Sequence, residues 1–313
     1  MRVSGVVGAD DVDEILSGDL AAGVAYATPA NGVVITPMAP LRLRDRDAGT
    51  VTVTTSLGLW KKVDRIRRNP LVAIAYHARD HGDATRPDFI LVQGTATIPE
   101  QPDRAWLEGI GPQMEHFLGP RKDRGLWGRW LKVYNWDRVP IEIAVRRVVR
   151  WSDSRCAGAP QVIGEPLAGE PPAPQSPPAK GTGSRVDCGK AAMHARSLPH
   201  TLLGWIGADG LPVVVPAGVR EDADVLVLDV ASGLLPPGGR RAGLTSHKFE
   251  PRMVGQEQRI HTGWLDVDGA VARYAPHTKA GYRLPASQLA FNFAAGAGTR
   301  LGLRAARKAG VAR

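Results

Sequence analysis

Residues 23–36 read GVAYATPANGVVIT, and residues 203–215 read LGWIGADGLPVVV. Each stretch is an apolar run, a short polar turn and a second apolar run. Asn31-Gly32 and Asp209-Gly210 are turn dipeptides that accept positive φ, so both stretches predict a β-hairpin. A proline, Pro37 or Pro216, follows each second strand. The parallel continues outward. Thr50–Thr55 (TVTVTT) matches Val225–Val230 (VLVLDV), and Phe89–Ile98 (FILVQGTATI) matches Arg259–Val267 (RIHTGWLDV), which sets Gly94 against Gly263. Two halves with one order of strands and turns point to a duplication.

Between the halves, Pro160 to Ser184 holds seven prolines, at 160, 166, 171, 172, 174, 177 and 178. So few apolar side chains cannot offset the entropy of ordering the segment as a packed unit, and an extended, semi-rigid spacer is expected. The domains are therefore read as 1–156, a linker at 157–185, and 186–313. In the first half, Lys61–Arg68 (KKVDRIRR) has helical spacing and stops at Asn69-Pro70. Leu71–Tyr76 and Ile141–Trp151 read as strands. Glu100 to about Tyr134 reads as helix in pieces, broken at Gly111-Pro112 and Gly119-Pro120. Gly281, Gly296 and Gly298 read as turn glycines. The fold class is mainly β with short helices: two tandem small or split barrels of about six strands each, whose closure removes exposed edges.

The chain has 313 residues, of which 43% are hydrophobic and 23% charged, which excludes global disorder. Forty Lys and Arg against 31 Asp and Glu give +9, densest at Lys61–Arg68 and Arg300–Arg313. The excess fits an acidic partner, whether nucleic acid, anionic lipid or a phosphorylated ligand, or else an ordinary basic surface. Aromatics are not interleaved with the tail's charges, so no stacking platform for nucleic acid is expected there, only a short amphipathic helix. No apolar run approaches the ~18 residues of a membrane span. The start, MRVSGVVGADDVDEIL, is acidic where an export signal is apolar. A cytoplasmic protein without a membrane partner is the expectation. Cys156 and Cys188 are too few for a disulfide scaffold.

No GxSxG nucleophile elbow, Walker A sequence or GxGxxG after a strand occurs. Thr54, Thr55, Ser56, Lys61, Lys62 and Arg67 place hydroxyls at a strand end and positive charge on the helix after it. These are the ingredients of a phosphate cradle, although a solvated basic helix face gives the same pattern. Trp60 is a candidate to stack on a planar ligand or simply to pack. His247, Lys248 and His261 are the second-half candidates for hydrogen bonding or proton transfer, with a satisfied strand histidine as the plain alternative for His261. His77 and His81, at i and i+4, do not predict a metal site, because Gly82-Asp83 implies a loop. No metal is expected.

The first half resembles the FMN-binding split-barrel superfamily, which includes pyridoxamine 5′-phosphate oxidases and deazaflavin (F420)-dependent reductases. The resemblance is carried by Thr36-Pro37, Thr54-Thr55-Ser56, Lys62-Val63, Arg67-Arg68-Asn69-Pro70, Leu71–Ala75, Gln93-Gly94-Thr95-Ala96 and the closing Val148–Trp151. It implies a cofactor held by its phosphate at the Ser/Thr…Lys segment, FMN first and F420 as the alternative, in an oxidoreductase with a small-molecule substrate. It also implies cofactor sites between two barrels, which a tandem chain supplies itself, as a monomeric pseudo-dimer or a further homodimer. The segment between Ser56 and Lys62 is longer than the family's, which leaves open whether Lys61 or Lys62 faces the phosphate. A non-catalytic sensor holding FMN, or haem through a histidine such as His247, is the alternative of another class.

Overall fold

The computed structural model describes residues 10–122 and 124–312; the residues that begin the N-terminal reading, 1–9, and Arg313 of the basic tail lie outside them. The first sheet contains β1 (Ala21–Ala27), β2 (Val33–Met38), β3 (Arg44–Asp45), β4 (Thr50–Ser56), β5 (Leu71–Ala78), β6 (Phe89–Thr97), β7 (Arg138–Trp151) and β8 (Gln161–Gly164). The second contains β9 (His200–Ile206), β10 (Pro212–Pro216), β11 (Gly218–Asp222), β12 (Val225–Asp229), β13 (Gly238–Lys248), β14 (Glu257–Asp268) and β15 (Val271–Arg283). Helices are α1 (Asp10–Gly18), α2 (Trp60–Arg68), α3 (Arg104–Gly109), α4 (Gly111–Leu118), α5 (Gly125–Trp136), α6 (Cys188–Ser197) and α7 (Gln288–Lys308).

The two sheets share one topology. The first runs β2-β1-β5-β6-β7-β4-β3, with β8 added beside β7, and the second runs β10-β9-β13-β14-β15-β12-β11. Every pairing is antiparallel. The chain is thus mainly β, two tandem split-barrel sheets of eight and seven strands rather than about six. The hairpins match bond for bond: Thr28 N donates to Gly32 O at 2.8 Å and Gly207 N to Leu211 O at 2.9 Å. The matched glycines also share a role. The β6–β7 ladder slips at Gln93/Gly94 and the β14–β15 ladder at Thr262/Gly263. A Cβ on Gly94 would strike the Ala144 carbonyl, and one on Gly263 the Ala275 carbonyl, so each bulge requires a residue without a side chain.

Each half encloses its own core. Val24, Ile74, Ile90, Val92, Ile141 and Ile143 fill the first, and Leu203, Trp205, Leu226, Leu244, Leu265 and Tyr274 the second. A third cluster joins them: Ile35, Ala73 and Leu91 pack with Leu202, Ile206 and Val214. The joint is reciprocal, with β2 against β13 and β10 against β5, the arrangement of a two-fold dimer made within one chain. Polar bonds cross it. Thr245 Oγ1 donates to Ile35 O at 2.9 Å, Gln93 Nε2 donates to Pro212 O at 2.6 Å, and Arg147 pairs with Asp209 at 2.5 Å.

Several local expectations need correction. The proline-rich segment begins as strand β8 and then packs, because Gln175 N donates to Gly239 O and Arg240 Nη1 to Pro172 O. The helical region does break at Gly111-Pro112 and at Gly119-Pro120: α3 ends at Gly109, Gly111-Pro112 opens α4, where proline's missing N–H has no partner to lose, and α4 ends at Leu118. Gly281 lies within β15, and Gly296 and Gly298 within α7. The tail helix spans 21 residues rather than a short stretch. Gly296 is required by the Trp130 ring, which occupies the space of a Cβ, and Gly302 by the backbone of Gly58. Close helix packing, not turning, explains both. Cys156 and Cys188 are free and buried. Among the described residues no helix is long and apolar enough to cross a membrane.

Candidate functional site

A cavity of about 560 Å³ opens between the halves. Its floor is the end of β4, where Thr54, Thr55 and Ser56 are all buried. Ser56 caps a single 3-10 turn, Leu57–Leu59, by accepting from Gly58 N at 3.0 Å, and that turn feeds α2. Helix α2 buries Lys62 on the same face as Val63 and Ile66. Lys62 therefore points inward, where among the described residues its amine meets the Met38 thioether, at 3.3 Å. Lys61 is exposed at the rim, with its ammonium 5.8 Å from the centre of the Trp60 ring. Both lysines line the cavity, as does Trp60, but only Lys62 is inside it.

Electrostatics mark the same end. Burial, with the Arg138 charge nearby, lowers the Lys62 pKa to about 7. Burial also lowers Arg138, whose Nη2 donates to Thr54 Oγ1 at 2.8 Å. The Thr55 hydroxyl and the Arg138 Nε are buried without partners among the described residues. An orphaned hydroxyl, an orphaned guanidinium N–H and an amine held near neutrality are donors awaiting an anion, because buried polar groups are otherwise paired. The opposite wall comes from the second half: Gln258, Ile260, Ala280, Gly281 and Tyr282, with Ala294, Ala295, Gly298 and Thr299 of α7 beside them. Gly281 has φ +129°, and a Cβ there would strike the Gln258 carbonyl, so the wall is smooth backbone at that point. Most of the lining is apolar or aromatic, including Tyr26, Met38, Leu41, Tyr134 and Phe249.

Four expected residues lie elsewhere. Arg67 turns away from the cavity and holds the backbone, donating to Pro99 O at 2.6 Å and Val311 O at 3.3 Å. Lys248 pairs with Glu250 at 2.5 Å outside the lining. His261 is buried on the far face of β14, where burial and the Lys279 charge bring it to about 4. His247 is fully buried and meets His77, Nε2 to Nε2, at 2.8 Å. His77 Nδ1 faces Ala75 O at 3.0 Å and so carries the proton, which makes its Nε2 the acceptor and His247 the donor. Burial and the neighbouring imidazoles lower both, His77 to about 3. Among the described residues no group of three or more His, Cys, Asp or Glu is placed to hold a metal.

Arg138 was not legible as a site residue, because the closing strand reads from Ile141, three positions later. The structural signal is its register opposite Ser56. Gln258 was likewise hidden in an unremarkable strand, and its Oε1 is buried without a partner.

The ladders also relate the two halves residue by residue. Gly23 lies opposite Ala75 and Leu202 opposite Thr245, so His77 and His247 are equivalents that meet each other. Val51 lies opposite Ile143 and Leu226 opposite Tyr274, so Thr54 corresponds to Asp229 and Ser56 to Ala231. A second cavity, about 530 Å³, is lined by Pro216, Ala217, Gly218, Asp229 and Ala231, the counterparts of Pro37, Met38, Ala39, Thr54 and Ser56 in the first. It is the same site on the other side of the pseudo-dimer. Residues 232–237 replace the stretch 57–70 and contain no helix, so no lysine corresponds to Lys62.

No family model matches the chain, and no curated protein matches it. Solved structures do. A conserved hypothetical protein from Mycobacterium tuberculosis is 21% identical over 52% of this chain and 94% of its own, with a TM-score of 0.35. A protein named F420 reductase is 18% identical over 44% and 94%, with a TM-score of 0.32. A pyridoxamine 5′-phosphate oxidase-related, FMN-binding protein from Nostoc punctiforme is 11% identical over 42% and 73%, with a TM-score of 0.28. Each of these likenesses spans about half of the chain.

Proposed function

We propose that this protein is a flavin-binding oxidoreductase that holds one FMN per chain in the cavity between its halves. The observation that carries the reading is the convergence of Lys62, Arg138, Thr54 and Thr55 at one end of a largely apolar cavity. Its volume falls in the range of about 300–1,000 Å³ typical of small-molecule sites. The phosphate would sit against the Thr55 hydroxyl, the Lys62 amine and the Arg138 guanidinium, which satisfies the orphaned donors. The ring system would lie along the apolar lining, with Gln258 from the second half available to hydrogen-bond it. A bound flavin supplies hydride transfer. The chain's own residues bind, orient and exclude water.

The domain reading supports this picture as one site built by two units, roughly 1–156 and 186–313. The haem alternative asks for an accessible histidine, and His247 is sealed against His77. F420 keeps its place through Lys61, an exposed cation at the rim suited to an acidic tail.

Titration of the purified protein with FMN and F420, followed by absorption and fluorescence, tests the reading. Saturation by FMN at one equivalent, weakened about 10- to 100-fold by Lys62→Ala, is expected for a lost charge-assisted hydrogen bond. Saturation by F420 alone would transfer the site to the deazaflavin cofactor. Binding of neither by folded protein would remove the proposal.

A further inference from the structure

Eight large apolar side chains are well exposed among the described residues, and five of them belong to three neighbouring elements. They are Leu59 in the 3-10 turn, Leu126 on α5, and Leu289, Phe293 and Leu301 on α7. These elements touch. Phe293 stacks on Trp130 of α5 at 5.3 Å and 16°, and Gly302 of α7 lies against the backbone of Gly58. Leu126 stands one turn before Trp130, and Leu289 one turn before Phe293, so each helix presents an apolar edge beside the stacked pair.

The charges carried by the two helices have one sign, and Asp137, just after α5, is the acid beside Arg307 and Lys132. Neither α5 nor α7 contains an acidic residue. Arg129 on α5 and Arg304 and Lys308 on α7 are exposed. Arg300 lies over the Trp130 ring at 4.2 Å, which adds a cation between the apolar edges. Helix α7 is apolar along its first half and basic along its second, while Phe291, Leu303 and Ala306 anchor its inner face to the protein.

We propose that the α5–α7 face docks on the surface of an anionic lipid bilayer. Exposed leucine and phenylalanine side chains insert at the headgroup boundary while arginine and lysine meet the anionic headgroups, the pattern of a helix lying in the interface plane. A second copy of the chain is disfavoured because pairing would oppose two predominantly positive faces. A nucleic acid would leave Leu126 and Leu289 without a use. Docking of this kind departs from the expectation of no membrane partner, which rests on the lack of an apolar run long enough to span. It stands whatever ligand the cavity takes. The geometry also gives it a use, because Leu59, Ala294, Gly298 and Thr299 line the cavity as well, so docking would bring the cavity's mouth to the bilayer.

Co-sedimentation of the full chain with vesicles tests this, comparing phosphatidylcholine alone with phosphatidylcholine containing phosphatidylglycerol. Binding to the anionic vesicles, weakened by salt, is expected. Arg304→Glu with Lys308→Glu should weaken it about tenfold or more. Leu289→Glu with Phe293→Glu should abolish it, and Leu126→Glu, which leaves the Trp130–Phe293 stack intact, should weaken it too. A thermal unfolding curve for each variant keeps loss of folding distinct from loss of docking. Failure to bind anionic vesicles, or equal binding to neutral ones, would overturn the proposal. So would a solution dimer that Phe293→Glu dissociates in a protein that ignores vesicles.

Discussion

The two cavities occupy equivalent places in two copies of one fold, yet only one is equipped for an anion. In the first, β4 ends in Thr54-Thr55-Ser56 and runs into a helix that carries Lys62 inward. In the second, the equivalent strand ends at Asp229, whose carboxylate meets Arg155 at 3.3 Å, and a short loop replaces the helix. The fold places a hollow at each joint between halves. What the hollow binds depends on the few residues after one strand, which is how a single scaffold hosts different chemistry.

The largest expected effect tests what the halves still share. Gly94→Ala and Gly263→Ala each force a Cβ into a carbonyl oxygen at the same bulge, and each should cost about 3 kcal/mol or more in unfolding free energy. Chemical denaturation would show it. A large loss at one glycine and none at the other would break the equivalence of the halves.

Next comes the contrast in binding. Lys62→Ala should remove about 1.5–3 kcal/mol of FMN affinity, and His200→Ala in the second cavity almost none. Calorimetry reads both affinity and stoichiometry, and two FMN per chain would erase the distinction between the sites.

The pH dependence sharpens it further. Lys62 titrates near 7 in the free protein, and a bound phosphate favours its ammonium form. Binding therefore takes up a proton above pH 7. Affinity should fall with rising pH there, by up to about 1.4 kcal/mol per pH unit, and Lys62→Ala should flatten the slope. A flat profile in the parent protein would place the phosphate away from Lys62.

Stability should respond to acid through the joint. His77, at about 3, and His247, also lowered, stay neutral when folded, whereas the unfolded chain binds protons near 6.5. The unfolded state thus holds more protons between about 6.5 and 3, and stability should decline as pH falls through that window. His261, at about 4, adds to the trend. Equilibrium unfolding at stepped pH checks the slope, which His77→Gln should reduce.

The smallest effect concerns Arg67. It bonds two carbonyls away from the cavity, so Arg67→Ala should cost about 1 kcal/mol of stability and change FMN affinity less than twofold.

The duplication was legible in the sequence because hairpin turns and strand alternation are local signals. Asn31-Gly32 and Asp209-Gly210 announce themselves within a few residues. The Gly94–Gly263 match was also legible, since both sit at the same place in matched strands. The cavity's first wall followed from Thr54 to Lys62, one continuous stretch. The second wall was not legible. Gln258 and Gly281 reach the site only through the packing of one half on the other, and nothing near them in the chain reports that. Arg138 depended on ladder register, and register is a long-range property. The histidines misled for a related reason. His247 reads as a candidate ligand for a cofactor, but its partner, His77, lies 170 positions away.

The joining segment has one more consequence. In a dimer of identical chains every mutation appears twice, so both sites must change together or neither does. Here β8 and the packed stretch through Gln175 bind the two copies into one inheritance. Each copy is then free to drift alone. One hollow has a helix with an inward lysine and the other has neither, while His77 and His247, equivalent positions of the two halves, still meet at the joint.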